Sequence, residues 1–156
     1  MRLSTTAFED GKFIPTKYTH QGVAGGKNIS IPLVWKDIPE QTKSLALSIV
    51  DPHPVARNWV HWLVINLPAD LVSLPEGASL KKNAGGAKEL YNSYGELGYG
   101  GPEPPKGSGP HPYIVTLYAL DVDDLDLTTN TSLDAFLKTI EGKILTTAKI
   151  TGFYER

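Results

Sequence analysis

Apolar residues in this chain come in short runs separated by proline- and glycine-rich breaks, and the runs have the length and composition of strands. "SLALSIV" (44–50), "WVHWLVINL" (59–67) and "YIVTLYAL" (113–120) are rich in β-branched and aromatic residues, and "KILTTAKITGFYE" (143–155) predicts a last strand. The runs beginning at Ser44 and Trp59 are apolar on both faces, so each has to be covered from both sides. One segment has helical spacing instead. In "SLDAFLKTIEG" (132–142), Leu133, Phe136, Leu137 and Ile140 share a face, Ser132 can cap the start and Gly142 suits the stop. A weaker helix is predicted near Ser79 to Lys82. The rest of the region from Pro68 to Pro110 reads as irregular, and irregular stretches of that length in compact domains tend to carry function. The expectation is a mainly-β single domain over residues 1–156, with a short helix in the C-terminal region and no internal repeat.

Strand alternation turns these runs into faces. Trp59, His61, Leu63 and Ile65 are predicted to point one way, and Val60, Trp62 and Val64 the other, which sets His61 against an apolar layer. If the runs from Ser44 and Trp59 pair antiparallel, the stiff "DPHPVARN" loop (51–58) returns the chain so that Asp51 and His61 lie at one sheet end, a carboxylate beside a half-buried imidazole. A second segment has the same design. "GYGGPEPPKGSGPHPY" (98–113) is a glycine-proline loop that leads into a strand carrying His111 and Tyr113 on one face. Both histidines reach one pocket mouth if the strands from Trp59 and Tyr113 run parallel in space, or if the second pairs with the strand from Ser44. Trp35, Trp59 and Trp62 are assigned to the core for their size, and His20 to a loop.

Composition narrows the chemistry. With 156 residues the chain can bury a sizeable core. Its 15 basic and 17 acidic residues give a net charge of −2, with no basic run suited to a nucleic-acid backbone or an anionic membrane. Cysteine is absent, which excludes disulfides, thiolate catalysis and cysteine metal sites, and fits a reducing compartment. No apolar run approaches membrane-spanning or signal-peptide length, so the expected location is cytoplasmic, without a transmembrane segment. "GYGG" lacks the strand-turn-helix context and the lysine-serine pair of a nucleotide loop. "YNSYG" around Ser93 does not supply a nucleophile elbow. Asp51, His53, His61 and His111 have the donor types of a divalent-metal site, which is the weaker alternative to a metal-free pocket.

Several segments, taken together, resemble the phosphatidylethanolamine-binding protein family, which includes the Raf kinase inhibitor proteins: "FEDGKFIPTKYTHQG", "NISIPLVWKDIPEQTKSLALSIVDP", "VHWLVINLP", "YNSYGELGYGGPEPPKGSGPHPYIVTLYALD" and "GFYER". The resemblance covers nearly the whole chain. It implies a large central antiparallel sheet flanked by smaller ones and a small pocket for anions such as phosphate, phosphorylated head groups or carboxylates. Carried over by motif position, the pocket residues are Asp51, Pro52, His61, Tyr99, Pro105, His111 and Tyr113. Two departures lie near the mouth: His53 stands where the family's D-P-D-A-P motif has its second acid, and Glu103 where many bacterial relatives have cysteine. A third is Ile31, where those relatives have proline.

The expected function is therefore a binding module for a small anionic ligand, with no cofactor and no metal. Protonated His61 and His111 would donate to ligand oxygens, Tyr113 would add a neutral donor, and Asp51 would orient one imidazole, so that affinity weakens as pH rises past about 7 to 8. The resemblance also implies a kinase or other phosphoprotein as a partner, or protease inhibition, and makes a homodimer reasonable. An acid-base pair of Asp51 and His61 acting on a phosphoester is the enzymatic alternative, ranked last for want of a nucleophile.

Overall fold

The computed structural model describes residues 1–81 and 87–156. Its centre is β3 (Ser44–Asp51), whose side chains are buried on both faces, as the doubly apolar run requires. Antiparallel neighbours flank it: β4 (Trp59–Pro68) on one side and β7 (His111–Leu120) on the other. The edges are β6 (Lys88–Glu89) beside β4 and β8 (Ile144–Tyr154) beside β7, giving a five-stranded sheet in the order β6-β4-β3-β7-β8. Because β4 and β7 are both antiparallel to β3, they run parallel to each other in space. The two strand starts that follow the proline-rich loops thus lie at the same sheet end.

Two layers cover this sheet. Leu45, Leu47 and Ile49 of β3, with Tyr113, Val115 and Leu117 of β7, pack in one apolar cluster. That cluster also holds Leu3, Leu33, Trp35 and Leu74 from a second, three-stranded antiparallel sheet. The second sheet is formed by β1 (Arg2–Ser4), β2 (Leu33–Lys36) and β5 (Ser73–Leu74). On the opposite face Ala46, Leu63, Ile65 and Tyr118 meet Phe136 and Ile140 of α1 (Leu133–Ile140). The architecture is mainly β, with two antiparallel sheets and one helix late in the chain. Among the described residues the smaller flanking sheet is this three-stranded one.

The helix forms for the local reasons legible in its sequence. Ser132 Oγ accepts from the Ala135 amide at 3.2 Å, and Gly142 adopts a left-handed φ of 76° just past the end. Phe136 and Ile140 are fully buried, Phe136 meeting Tyr118 edge-on at 5.6 Å between ring centroids. Leu137, expected on the apolar face, is instead 40% exposed, because the helix buries a narrower stripe than the spacing alone suggests. The second helix expected near Ser79 does not form over Ser79–Lys81, which is a turn; Lys82 lies outside the described residues. Glu89 holds that turn by accepting from Ser79 Oγ and the Leu80 amide, both at 2.6 Å, while Leu80 takes a left-handed φ of 61°. No helix among the described residues is long and apolar enough to cross a membrane.

Burial makes α1 testable. Phe136→Ala should cost about 3–5 kcal/mol in urea unfolding, the usual loss for a truncated core aromatic. Leu137→Ala, on the same helix, should stay within about 1 kcal/mol. Similar losses for the two variants would contradict the observed orientation of the helix.

Candidate functional site

At the sheet end where β4 and β7 begin, a cavity of about 420 Å³ opens to the surface. Asp51, His61, His111, Tyr113 and Pro105 line it. Pro52 does not: it is exposed on the loop beyond Asp51. Tyr99 does not line it either. Its ring is buried in the core against Trp62, and its hydroxyl donates to the Tyr18 carbonyl at 2.7 Å. The tyrosine of the irregular region that does line the cavity is Tyr94, whose hydroxyl donates to the Gly101 carbonyl at 2.8 Å.

His61 reaches the cavity through a β-bulge. Ile49 pairs with Trp62 and Val50 pairs with Val60, which leaves His61 as the extra residue of β4. A bulge breaks the strict alternation of a strand. Trp62 and Val64 therefore join the cluster on the cavity's side of the sheet, and Leu63 and Ile65 join the helix side. The alternation expected for β4 thus fails between His61 and Leu63. Trp59 departs from expectation too: 36% exposed, it forms part of the rim, edge-on to Tyr94 at 5.3 Å.

The loop after β6 clamps His61 from above. The Gly100 amide donates to the His61 carbonyl at 2.8 Å, and His61 Nδ1 donates to the Gly100 carbonyl at 2.7 Å. This approach needs glycine: a Cβ on residue 100 would fall 2.5 Å from Tyr94 Cδ2, and one on residue 101 would fall 2.2 Å from the Tyr18 carbonyl oxygen. Since a carbonyl can only accept, the proton of a neutral His61 sits on Nδ1. Burial lowers the His61 pKa to about 4, against weaker opposing pulls from the Gly100 carbonyl and Asp51, so the ring is neutral near pH 7. The expectation of a protonated His61 is thereby corrected.

Asp51 pairs with His111. The direct partner of the carboxylate is His111 Nδ1, at 2.6 Å from Oδ2, rather than His61, and the two side chains are 4% and 1% exposed. The other carboxylate oxygen accepts from the His53 amide at 2.8 Å, turning the chain just after β3. On its far side His111 Nε2 lies 2.9 Å from Ser108 Oγ. Ser108 Oγ in turn donates to the Pro105 carbonyl at 2.6 Å, so in this arrangement Nε2 donates to Ser108. Both ring nitrogens of His111 are then occupied by protein. The His53 ring stacks on it with centroids 3.8 Å apart.

The linear order Ser108, His111, Asp51 resembles a hydrolase triad, but the Pro105 carbonyl competes with His111 Nε2 for the one proton of the Ser108 hydroxyl. Among the described residues no three His, Cys, Asp or Glu side chains converge to hold a metal ion.

What remains free toward the cavity is a short inventory. Tyr113 is 1% exposed and its hydroxyl has no hydrogen-bond partner among the described residues. Burial, reinforced by Asp51, pushes that phenol well above its ordinary range, so it is a neutral hydroxyl. His61 Nε2 has no partner among the described residues. At the rim Arg156 donates through Nε to the Pro104 carbonyl at 2.7 Å and lies 3.9 Å from Glu103. Glu103 Oε2 is also 2.7 Å from His20 Nδ1, within ion-pair distance although outside good hydrogen-bond geometry, and the His20 ring stacks on Tyr94 at 4.3 Å. Sequence reasoning missed Tyr94, Ser108 and Arg156 as parts of the site. Arg156 had a signal: β8 pairs antiparallel with β7, His111 opposite Tyr154, so the chain just past β8 has to reach the start of β7.

A family model described as phosphatidylethanolamine-binding protein matches residues 4–155. The UPF0098 protein of Methanothermobacter thermautotrophicus is 42% identical over 157 residues, covering 100% of this chain and 99% of that protein. The UPF0098 protein YbhB of Escherichia coli is 38% identical over 131 residues, 81% of this chain and 82% of its own. Among solved structures, Escherichia coli YbcL, described as a new member of the mammalian PEBP family, matches with a TM-score of 0.92 and 32% identity, covering 99% of this chain and 98% of its own. A phosphatidylethanolamine-binding protein homologue from Chlamydia trachomatis matches with a TM-score of 0.84 and 36% identity, covering 99% and 97%. The chain belongs to the phosphatidylethanolamine-binding protein family.

The state of His61 has a consequence for stability. Its pKa falls from 6.5 to about 4 on folding, so the unfolded chain binds the proton more tightly. The contribution is fully present above pH 6.5 and is lost as pH falls from there toward 4, up to about 3 kcal/mol in all. His61→Asn should remove that share of the acid slope. Urea unfolding of both proteins between pH 7 and pH 4 measures it, and parallel slopes would show that the His61 pKa does not change on folding.

Proposed function

We propose that the cavity binds the oxyanion group of a small ligand, such as a phosphate, a phosphorylated head group or a carboxylate, and that the protein acts as a binding module. The observation that carries this reading is the Tyr113 hydroxyl, buried in the wall of an open cavity and without a partner among the described residues. Leaving such a group unsatisfied costs about 1–3 kcal/mol, and a ligand oxygen removes that cost. The Arg156 guanidinium at the rim supplies a positive charge for the approaching anion. The apolar rim of Val55, Ala56 and Trp59 suits the carbon part of such a ligand. A phosphorylated side chain on a partner protein carries the same group, which keeps kinase or phosphoprotein regulation within this reading.

Tyr113→Phe separates a ligand-binding hydroxyl from a structural one. It should weaken binding of inorganic phosphate or phosphoethanolamine about tenfold in calorimetric titration. The melting temperature of the unliganded protein should hold or rise, because a buried unsatisfied hydroxyl is removed. Unchanged affinity would remove Tyr113 from the binding site, and a lowered melting temperature would show that the hydroxyl already has a stabilising partner.

A further inference from the structure

We propose that this pocket selects ligands whose acidic group still carries a proton, with His61 Nε2 accepting that proton's hydrogen bond, so that it takes a monoprotonated phosphoryl group in preference to a sulfuryl group of equal charge. The inference rests on the anion-binding reading above and specifies which anions are accepted.

The argument is a count of donors and acceptors at the cavity wall. The Nδ1–H of His61 is committed to the Gly100 carbonyl, which has no hydrogen to give in return. Burial keeps the ring uncharged, so this bond fixes its tautomer and Nε2 carries the lone pair. His111 offers no free N–H, because Asp51 and Ser108 hold its two nitrogens. Asp51 is itself an acceptor, already engaged by His111 Nδ1. The buried wall therefore offers one hydroxyl from Tyr113, the His61 lone pair and the Asp51 carboxylate, and acceptors outnumber donors. A fully deprotonated oxyanion placed here would satisfy Tyr113 but press an oxygen against the His61 lone pair. A group with one P–OH fits both, accepting from Tyr113 and donating to His61.

The charged and titratable groups around His61 are Asp51 and Tyr113 from the neighbouring strands, and His111 behind Asp51. Tyr94, Glu103, His20 and Arg156 face it from the loops and the chain end, and His53 stacks on His111. Several of these change charge with pH. The deciding comparison is therefore made at pH 5 between two ligands of the same charge, which cancels the titration of these groups. Near neutral pH and below, burial keeps His61 uncharged down to about pH 4, so the acceptor persists through the range used.

Phenyl phosphate and phenyl sulfate make the comparison. At pH 5 the phosphate ester, with a second pKa of about 6, is mostly a monoanion with one P–OH, and the sulfate ester is a monoanion with none. Calorimetric titration of the wild-type protein at pH 5 should show phenyl phosphate binding at least about tenfold tighter, and the ratio should shrink by pH 8, where the phosphate loses its proton. In His61→Asn the ratio at pH 5 should fall to about one. Equal affinities at pH 5, or a phosphate preference that grows toward pH 8, would overturn the proton-matching inference while leaving anion binding standing. If neither ester nor inorganic phosphate binds at either pH, both readings fail. The wild-type comparison decides the question even if the His61 variant does not fold.

Discussion

Asp51 and His111 face each other at 2.6 Å with almost no access to water, and the geometry of the whole sheet end follows from that contact. A buried carboxylate without a partner is costly, and removing one member of such a pair typically destabilises a protein by about 3–5 kcal/mol. The pair joins the end of β3 to the start of β7 and enlists both adjoining loops. Asp51 accepts the His53 amide and so bends the loop after β3, while His111 engages Ser108 and so ties down the loop before β7. The cavity lies between two segments that are each anchored to the same hydrogen-bonded pair. Tyr113, two residues on from His111, inherits its position from that anchor.

The large elements were legible because local chemistry specifies them. The runs that became β3, β4, β7 and β8 are long and β-rich, and Ser132 and Gly142 mark the ends of α1. The sequence does not announce β1, β2, β5 or β6, because strands of two to four residues exist only by pairing with a partner distant in the chain. The bulge at His61 was hidden for a different reason. When both faces of a strand are apolar, slipping the alternation by one residue leaves no trace in the hydrophobic pattern.

The site was legible in outline and opaque in its protons. Two stiff loops, each ending in a histidine-bearing strand, were visible from residues 51–61 and 98–113. Which histidine Asp51 would choose was not, since both lie at the same sheet end and only the bulge and the Gly100 contact turn His61 away. Tyr94 and Tyr99 share one glycine-rich region and have the same side chain. The close approach of residues 100 and 101 to β4 and to Tyr18 decides which ring faces the cavity and which enters the core. Long-range attraction and short-range fit also divide between different residues. Charges of both signs, Arg156 and Glu103, stand at the rim, and the wall below them is made of Tyr113, His61 and the hydrogen-bonded pair of Asp51 and His111.

Gly100 holds His61 through its main chain, and a main-chain contact has no side chain to exchange. His61, Tyr113 and the Asp51–His111 pair are bound into the core in the same way, so their identities are tied to folding as much as to binding. Val55, Ala56, Trp59 and Glu103 are under no such obligation. Evolutionary change in what this scaffold accepts is therefore free to proceed at the doorway alone, altering the bulk and sign of the guest's outer portion while its acidic head stays where the fold dictates.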